Sequence, residues 1–362
     1  MGGGGIERVT IVKANAFADI PGNEVHICST DRGGSPETIC PVSDKVKVHV
    51  IGEDLPVFTL RNYVSNWFKV RSRLKKLIHS LLPDVVVTTG EQERYALASI
   101  KVPNVKIREY HFNSNFRDYN SKERGAVNRI AAWFEYRFLG HFFDKNYLLT
   151  KEDKDTWFKD NNAFDYQYNP CSFDIPENLP VCKRENVAVA VGRLAAQKNF
   201  SALLRIWAKV DNRNWTLHII GDGYEREMLE TLAKKLGIAD SVKFLGFRKD
   251  VQEQLDKSKM LLMTSIYEGF GVNIIEAMSR GVVPVCYRTP YGPADIITDK
   301  DNGILVEYMN EEEFAVKLTA LMNDEAEMCR LSKNAHTRSL DFRVEKITAE
   351  WMEKYRNLCH RR

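Results

Sequence analysis

The chain has 362 residues, 44% hydrophobic and 28% charged, with 21 Gly and 12 Pro, usage that excludes low-complexity and disulfide-scaffold architectures. Its 52 basic residues against 49 acidic ones leave a formal charge of +3, too little for a protein that coats nucleic acid or an anionic surface along its whole length. At roughly 100–200 residues per domain, two domains are expected.

The chain opens Met1-Gly2-Gly3-Gly4-Gly5-Ile6-Glu7-Arg8, without the apolar core of a signal peptide, and its longest apolar runs, near 84–87 and 282–286, are far shorter than the ~20 residues of a membrane span. A cytoplasmic protein is expected. Short β-branched runs at 24–28, 46–51, 84–88, 105–110, 146–150, 187–191, 215–220, 242–245, 260–264 and 282–286 alternate with helix-period segments, the pattern of parallel sheets covered by crossover helices. The rhythm pauses over the polar, Pro-punctuated stretch from Asp165 to Asn186, which divides the chain into domains at 1–168 and 169–340. The tail 341–362 carries Phe342, Val344, Ile347, Trp351, Met352 and Tyr355 at helical spacing and is expected to pack as an amphipathic helix.

Between Leu55 and Pro83 stand six basic residues, Arg61, Lys69, Arg71, Arg73, Lys75 and Lys76, and no acidic one, while Trp67, Val70, Leu74, Leu77, Ile78 and Leu81 repeat at helical spacing. This reads as a crossover helix whose apolar stripe covers the sheet; a basic amphipathic helix is also of the kind that lies on an anionic membrane. The aromatic stretch from Trp133 to Phe138, with Phe142 and Phe143, is expected in the core. Thr150 ahead of Asp153 has the capping-box spacing, and Gly237 reads as a helix stop.

Seven cysteines with no C-x-x-C pair suggest reduced thiols, and eight histidines with no H-x3-H or H-E-x-x-H spacing give no zinc pattern. The two D-x-D strings, at Asp153 to Asp155 and Asp299 to Asp301, read as a helix start and a surface loop.

The densest chemistry is Glu268-Gly269-Phe270-Gly271-Val272-Asn273-Ile274-Ile275-Glu276, directly after an apolar strand. A helix starting near Gly271 puts Glu276 one to two turns inside it and Glu268 in the loop ahead. Between the two carboxylates, a Gly-flanked turn lets amides at a helix N-terminus approach a phosphate. Carboxylate, anion site and carboxylate in series suit a sugar–diphosphate–ribose ligand. Gly192-Arg193-Leu194 with Lys198 places two cations in one strand-to-helix loop, able to neutralise a diphosphate leaving group without a metal. Gly221-Asp222-Gly223-Tyr224 is another tight turn at a strand end.

Together these motifs resemble family 4 of the retaining glycosyltransferases, a bacterial cell-surface polysaccharide type with the GT-B fold, α/β with two Rossmann-like doubly wound domains facing across a cleft. The glycine run at 2–5, Gly192-Arg193-Leu194 with Lys198, Gly221-Asp222-Gly223, Leu245-Gly246-Phe247, Glu268 to Glu276 as E-x7-E, Tyr291 to Asp295 and Asn302 to Val306 carry the likeness in order. The resemblance implies an acceptor-side domain at 1–168, a nucleotide-sugar domain at 169–340 and a C-terminal helix that packs back on the first. It implies that Glu276 holds the ribose and Glu268 the donor-sugar hydroxyls. Arg193 and Lys198 would bind the diphosphate, helped by the backbone of Phe270, Gly271 and Val272. Gly4, Gly5, Gly192 and Gly221 would line the ligand, and Phe247 and Arg248 would meet the nucleobase. His111 matches the family histidine that reaches the donor sugar. Glu268 could also be read as a nucleophile; the family makes it a binding residue.

The implied enzyme is a retaining, metal-independent hexosyltransferase without cofactor, which moves sugar from a UDP- or GDP-sugar to a glycan or lipid-linked acceptor in capsule or lipopolysaccharide synthesis, with peripheral contact at the inner membrane face and no nucleic-acid partner. A nucleotide-sugar 2-epimerase of the same fold and a non-catalytic nucleotide-sugar-binding protein are the alternatives. Family members place a buried strand before the glycine loop, where this sequence begins; a form extended upstream is expected to be more stable.

Overall fold

The ten runs read as strands all form strands, each within two residues of the expected bounds, in a computed structural model that describes residues 5–30, 41–52, 63–90, 93–102, 104–111, 138–178, 184–211 and 214–360. Among the described residues every ladder is parallel. The chain divides into two units, Met1–Ser172 with Val344–Arg362, and Phe173–Arg343.

In the second unit β7 (Val187–Val191), β8 (Thr216–Ile220), β9 (Val242–Gly246), β10 (Met260–Met263), β11 (Val283–Tyr287) and β12 (Ile304–Val306) stand in the order β12-β11-β10-β7-β8-β9. The order reverses between β7 and β10, so this pair is the topological switch point, and the crevice outside its carboxyl ends is where such sheets bind ligands. β10 and β11 are buried along their whole length, as strands covered by helices on both faces must be. Trp207 fills the core beside β7 and β8, and its indole donates to Ser241 Oγ (3.1 Å). Gly237, at φ +72°, ends the helix Arg226–Lys235 as expected.

The first unit holds two sheets, β1 (Val25–Ser29) with β2 (Val46–Val50), and β3 (Val85–Thr88), β4 (Val105–Tyr110), β5 (Lys145–Leu148) and β6 (Phe164–Tyr166) in that order. The helix Tyr63–Leu81 buries Val70, Leu74 and Ile78 against Ala96, Leu97 and Ile100, the crossover role its spacing indicates. Its other side carries exposed Lys69, Lys75 and Lys76 and leaves Val64 and Phe68 in solvent. The C-terminal helix Val344–Cys359 covers β4 and β5 of this unit through Ile347 and Trp351, which join Val105, Ile107 and Tyr147. Thr150 caps Lys151–Trp157 by accepting from the Asp153 amide (3.1 Å).

Two expectations need correction. The stretch read as the start of the pause contains strand β6, which exists through its register with β5 rather than through an apolar run. Phe138 and Phe142 are exposed and Phe143 alone of these three is buried; Trp133 and its neighbours lie outside the described residues. Among the described residues Cys28, Cys171, Cys286, Cys329 and Cys359 form no disulfide. Among the described residues no helix is long and apolar enough to cross a membrane.

Candidate active site

The two glycine loops that leave β7 and β8 interlock. The Gly192 amide donates to Ile220 O (3.0 Å), the Leu194 amide to Asp222 O (3.0 Å) and the Glu225 amide to Leu194 O (3.1 Å). Gly221, at φ +134°, runs so close to the first loop that a Cβ there would lie 1.9 Å from Gly192 O. Only glycine allows this approach, and it fixes the loop that carries Arg193 and Lys198 over the sheet's carboxyl edge.

From that loop Lys198 reaches across the switch point to the loop after β10: its Nζ donates to Glu268 Oε1 at 2.7 Å. The Lys198 stem lies over Gly192, where a Cβ would meet its Cγ, Cδ and Cε at 3.2–3.3 Å. The two loops are tied further by the Ile266 amide to Gln197 O (2.8 Å) and by Gln197 Nε2 to Tyr267 O (3.0 Å). Glu268 is buried, and together with burial its charge raises the pKa of the Tyr267 phenol and the Cys286 thiol. Arg193 is exposed, and among the described residues it pairs with no carboxylate.

Gly271, at φ +101°, starts the helix Val272–Ser279, whose first-turn amides and dipole favour an anion at this end. The side chain of Asn273 donates to Val191 O (2.9 Å), pinning this helix to the end of β7 beside Gly192. Phe270 is buried with its ring against Phe342 (6.0 Å), so only its backbone can serve a ligand; a Cβ on Gly292 would lie 2.6 Å from Phe270 O. Glu276 is buried inside the same helix. Phe247, at the end of β9, is 73% exposed, and Arg248 beside it forms a bidentate pair with Asp250 (2.7 and 2.6 Å) that lowers the Asp250 pKa. Lys198, Glu268, Gly192, Gly221, Arg193, Gly271, Val272 and Glu276 thus gather at the switch point and the loops flanking it, while Phe247 and Arg248 stand two strands away along the same edge.

In the first unit, Gly5 opens the helix Gly5–Ala18 with free space where a Cβ would stand, and Gly4 lies outside the described residues. His111 follows β4, is buried, and has Glu109 Oε2 3.4 Å from its Nε2. Lys13 of the first helix donates to both Glu109 oxygens (2.6 and 2.7 Å). Burial raises the Glu109 pKa, but the Lys13 charge and the contact with His111 outweigh it and bring the carboxyl down to about 2.

The D-x-D aspartates have structural partners: Asp153 in the first turn capped by Thr150, Asp299 accepting from the Leu305 amide (2.8 Å), Asp301 from Asn334 (3.1 Å). Among the described residues no three His, Cys, Asp or Glu side chains converge on a metal-sized site.

The loops that build this site fall within residues 173–338, which match the model of the glycosyl transferases group 1 family. A Haemophilus influenzae protein described as an uncharacterized glycosyltransferase is 31% identical over 96% of this chain and 95% of its own length. The chain belongs to the group 1 glycosyltransferases. Like this glycosyltransferase, the Campylobacter jejuni α-1,4-N-acetyl-D-galactosaminyltransferase named for a diphospho-undecaprenol-linked substrate is 28% identical, with 97% of this chain and 94% of that protein aligned. Anabaena HepE, solved with UDP and glucose, superposes with a TM-score of 0.76 over 98% of this chain and 96% of its own at 20% identity, a likeness that establishes the GT-B fold.

Sequence reasoning gave no role to Asn273, Tyr224, Lys13 or Glu109 in this glycosyltransferase. Tyr224 is 76% exposed with its hydroxyl accepting from the Ala196 amide (3.1 Å), so its ring is held at the rim of the first loop. Asn273 sits inside the quoted E-x7-E motif, but its bond to Val191 depends on tertiary structure.

Proposed function

We propose that the protein is a retaining, metal-independent glycosyltransferase of the family 4 type that transfers a hexose from a UDP- or GDP-sugar to a glycan or lipid-linked acceptor in surface polysaccharide biosynthesis. The observation that carries the reading is the Lys198–Glu268 contact of 2.7 Å across the switch point, a cation meant for a diphosphate beside a carboxylate meant for sugar hydroxyls. Cleavage of the anomeric C–O bond sends its electron pair to the nucleoside diphosphate. Lys198, Arg193 and the amides at Val272 and Asn273 stabilise that charge as it forms. Glu268 holds the donor sugar, Glu276 the ribose, Phe247 and Arg248 the base, and His111 is assigned to the donor sugar. The acceptor hydroxyl attacks the anomeric carbon on the face the diphosphate leaves. The undecaprenol-linked substrate named for the Campylobacter relative supports a lipid-linked acceptor, and UDP in the Anabaena structure supports a uridine donor.

The test is a panel of UDP- and GDP-sugars with lipid-linked acceptors, read by nucleotide release, product anomer by NMR, and rate with and without chelator. Release of one nucleotide with an α-linked product from an α-linked donor, at a chelator-independent rate, is expected. Anomeric inversion, loss of rate on chelation or epimerisation of donor alone each overturns the corresponding element.

A further inference from the structure

Beside His111 the first unit holds a buried ion pair, Lys13–Glu109, that the proposed chemistry leaves without a task. β4 alternates, so Val105, Ile107, Glu109 and the following His111 share one side of the strand. Val105 and Ile107 lie under Trp351 and Ile347 of the C-terminal helix. At the carboxyl end that apolar side turns ionic: Glu109 is 4% exposed, Lys13 7% and His111 8%. Lys13 engages both Glu109 oxygens and stands over the Trp351 ring, 4.3 Å from its centroid. A buried carboxylate this firmly held is a fixed charge rather than a mobile side chain.

His111 Nε2 is buried, makes no aligned hydrogen bond among the described residues, and faces Glu109 Oε2 at 3.4 Å. A bare ring nitrogen in that place would set its lone pair against a carboxylate oxygen, whereas Nε2–H points a positive end at it. We infer that Glu109, anchored by Lys13, is a positioning residue that keeps the His111 proton on Nε2 and so presents Nδ1 as a hydrogen-bond acceptor for a hydroxyl of the donor sugar. The inference rests on the assignment of His111 to that sugar, and its chemistry is defined: the sugar O–H donates and the ring accepts, with no net proton transfer.

The experiment separates the two claims. Imidazole nitrogen NMR shifts of histidine-labelled protein, assigned by loss of signal in His111→Ala, report the tautomer directly; nucleotide-release kinetics report turnover. Glu109→Gln alone strands the Lys13 charge, so the doubly substituted K13M/E109Q, which removes both charges, is measured beside it. In the wild type the neutral ring is expected to carry its proton on Nε2. In the double variant the Nδ1–H form should gain population, and kcat should fall about 10–100-fold with KM nearly unchanged, by analogy with the loss of carboxylates that orient metal-ligating histidines. A folded double variant with the wild-type tautomer, or a wild-type ring protonated on Nδ1, overturns the inference even if His111→Ala is inactive. A tautomer shift alongside wild-type turnover in His111→Ala upholds the orienting role and overturns the donor assignment instead.

Discussion

Lys198 Nζ lies 2.7 Å from Glu268 Oε1, with the lysine side chain 19% and the glutamate 7% exposed, so the pair bridges the loops after β7 and β10 largely out of water. Each partner compensates the other's desolvation, and a transferring diphosphate would compete for the lysine. Lys198→Ala should lower kcat by about 10²–10³-fold, the range for removing one preorganised charge-stabilising donor, and Glu268→Gln should lower it comparably. Nucleotide release measured at saturating donor checks both, and wild-type kcat in either variant rejects the assignment.

Two glycines at positive φ should respond very differently to alanine. A Cβ at Gly221 (φ +134°) meets Gly192 O at 1.9 Å, a backbone atom that cannot move without opening the first loop; at Gly237 (φ +72°) it meets nothing within 4 Å. Gly237→Ala should cost about 1 kcal/mol of backbone strain. Gly221→Ala should cost on the order of 3 kcal/mol or more and weaken nucleotide binding, because it displaces the segment holding Lys198. Thermal unfolding of the two variants with UDP titration tests the contrast, and equal losses at the two positions contradict it.

The legible parts of this molecule are those whose cause is local. Runs such as Val187–Val191 and Val85–Thr88 are rich in β-branched residues between polar breaks, so both strands fall where the pattern puts them. The site loops are legible for the same reason, because glycine marks each place where backbone crosses backbone. What escapes is long-range. Lys13 and Glu109 are 96 positions apart, and neither residue type announces a buried pair. Strand β6 is Phe-Asp-Tyr, too short and too polar for a periodicity, and is held by pairing with Asn146 to Leu148. Phe138 and Phe142 look like core by hydrophobicity, yet they stand 46% and 56% exposed.

The solvent side of the helix Tyr63–Leu81 combines Phe68 and Val64, 59% and 63% exposed, with Lys69, Lys75 and Lys76. Apolar side chains beside exposed cations suit an anionic lipid surface, where each lysine contributes about 1 kcal/mol. The protein should cosediment with vesicles rich in anionic lipid and remain free with zwitterionic ones. Neutralising two charges in K75Q/K76Q should weaken binding about 30-fold, from about 2 kcal/mol lost. Binding that ignores both lipid charge and these substitutions rules the contact out.

Stability of the first unit should depend on pH through Glu109. Burial alone raises its pKa, but Lys13 and His111 prevail and set it at about 2 in the folded protein, against an ordinary 4.5. A carboxyl with a depressed folded pKa binds fewer protons in the native state than in the unfolded chain between those two values. Its stabilising contribution is therefore complete above about pH 4.5 and disappears progressively as pH falls toward about 2. Urea unfolding of wild type across this window should show the first unit weakening with acid. In K13M/E109Q, which has no carboxylate to protonate at this place, that part of the slope should be absent while stability near neutral pH changes little, since both charges leave together. Identical acid slopes in the two proteins would mean that the Lys13–Glu109 pair makes no net electrostatic contribution to the fold.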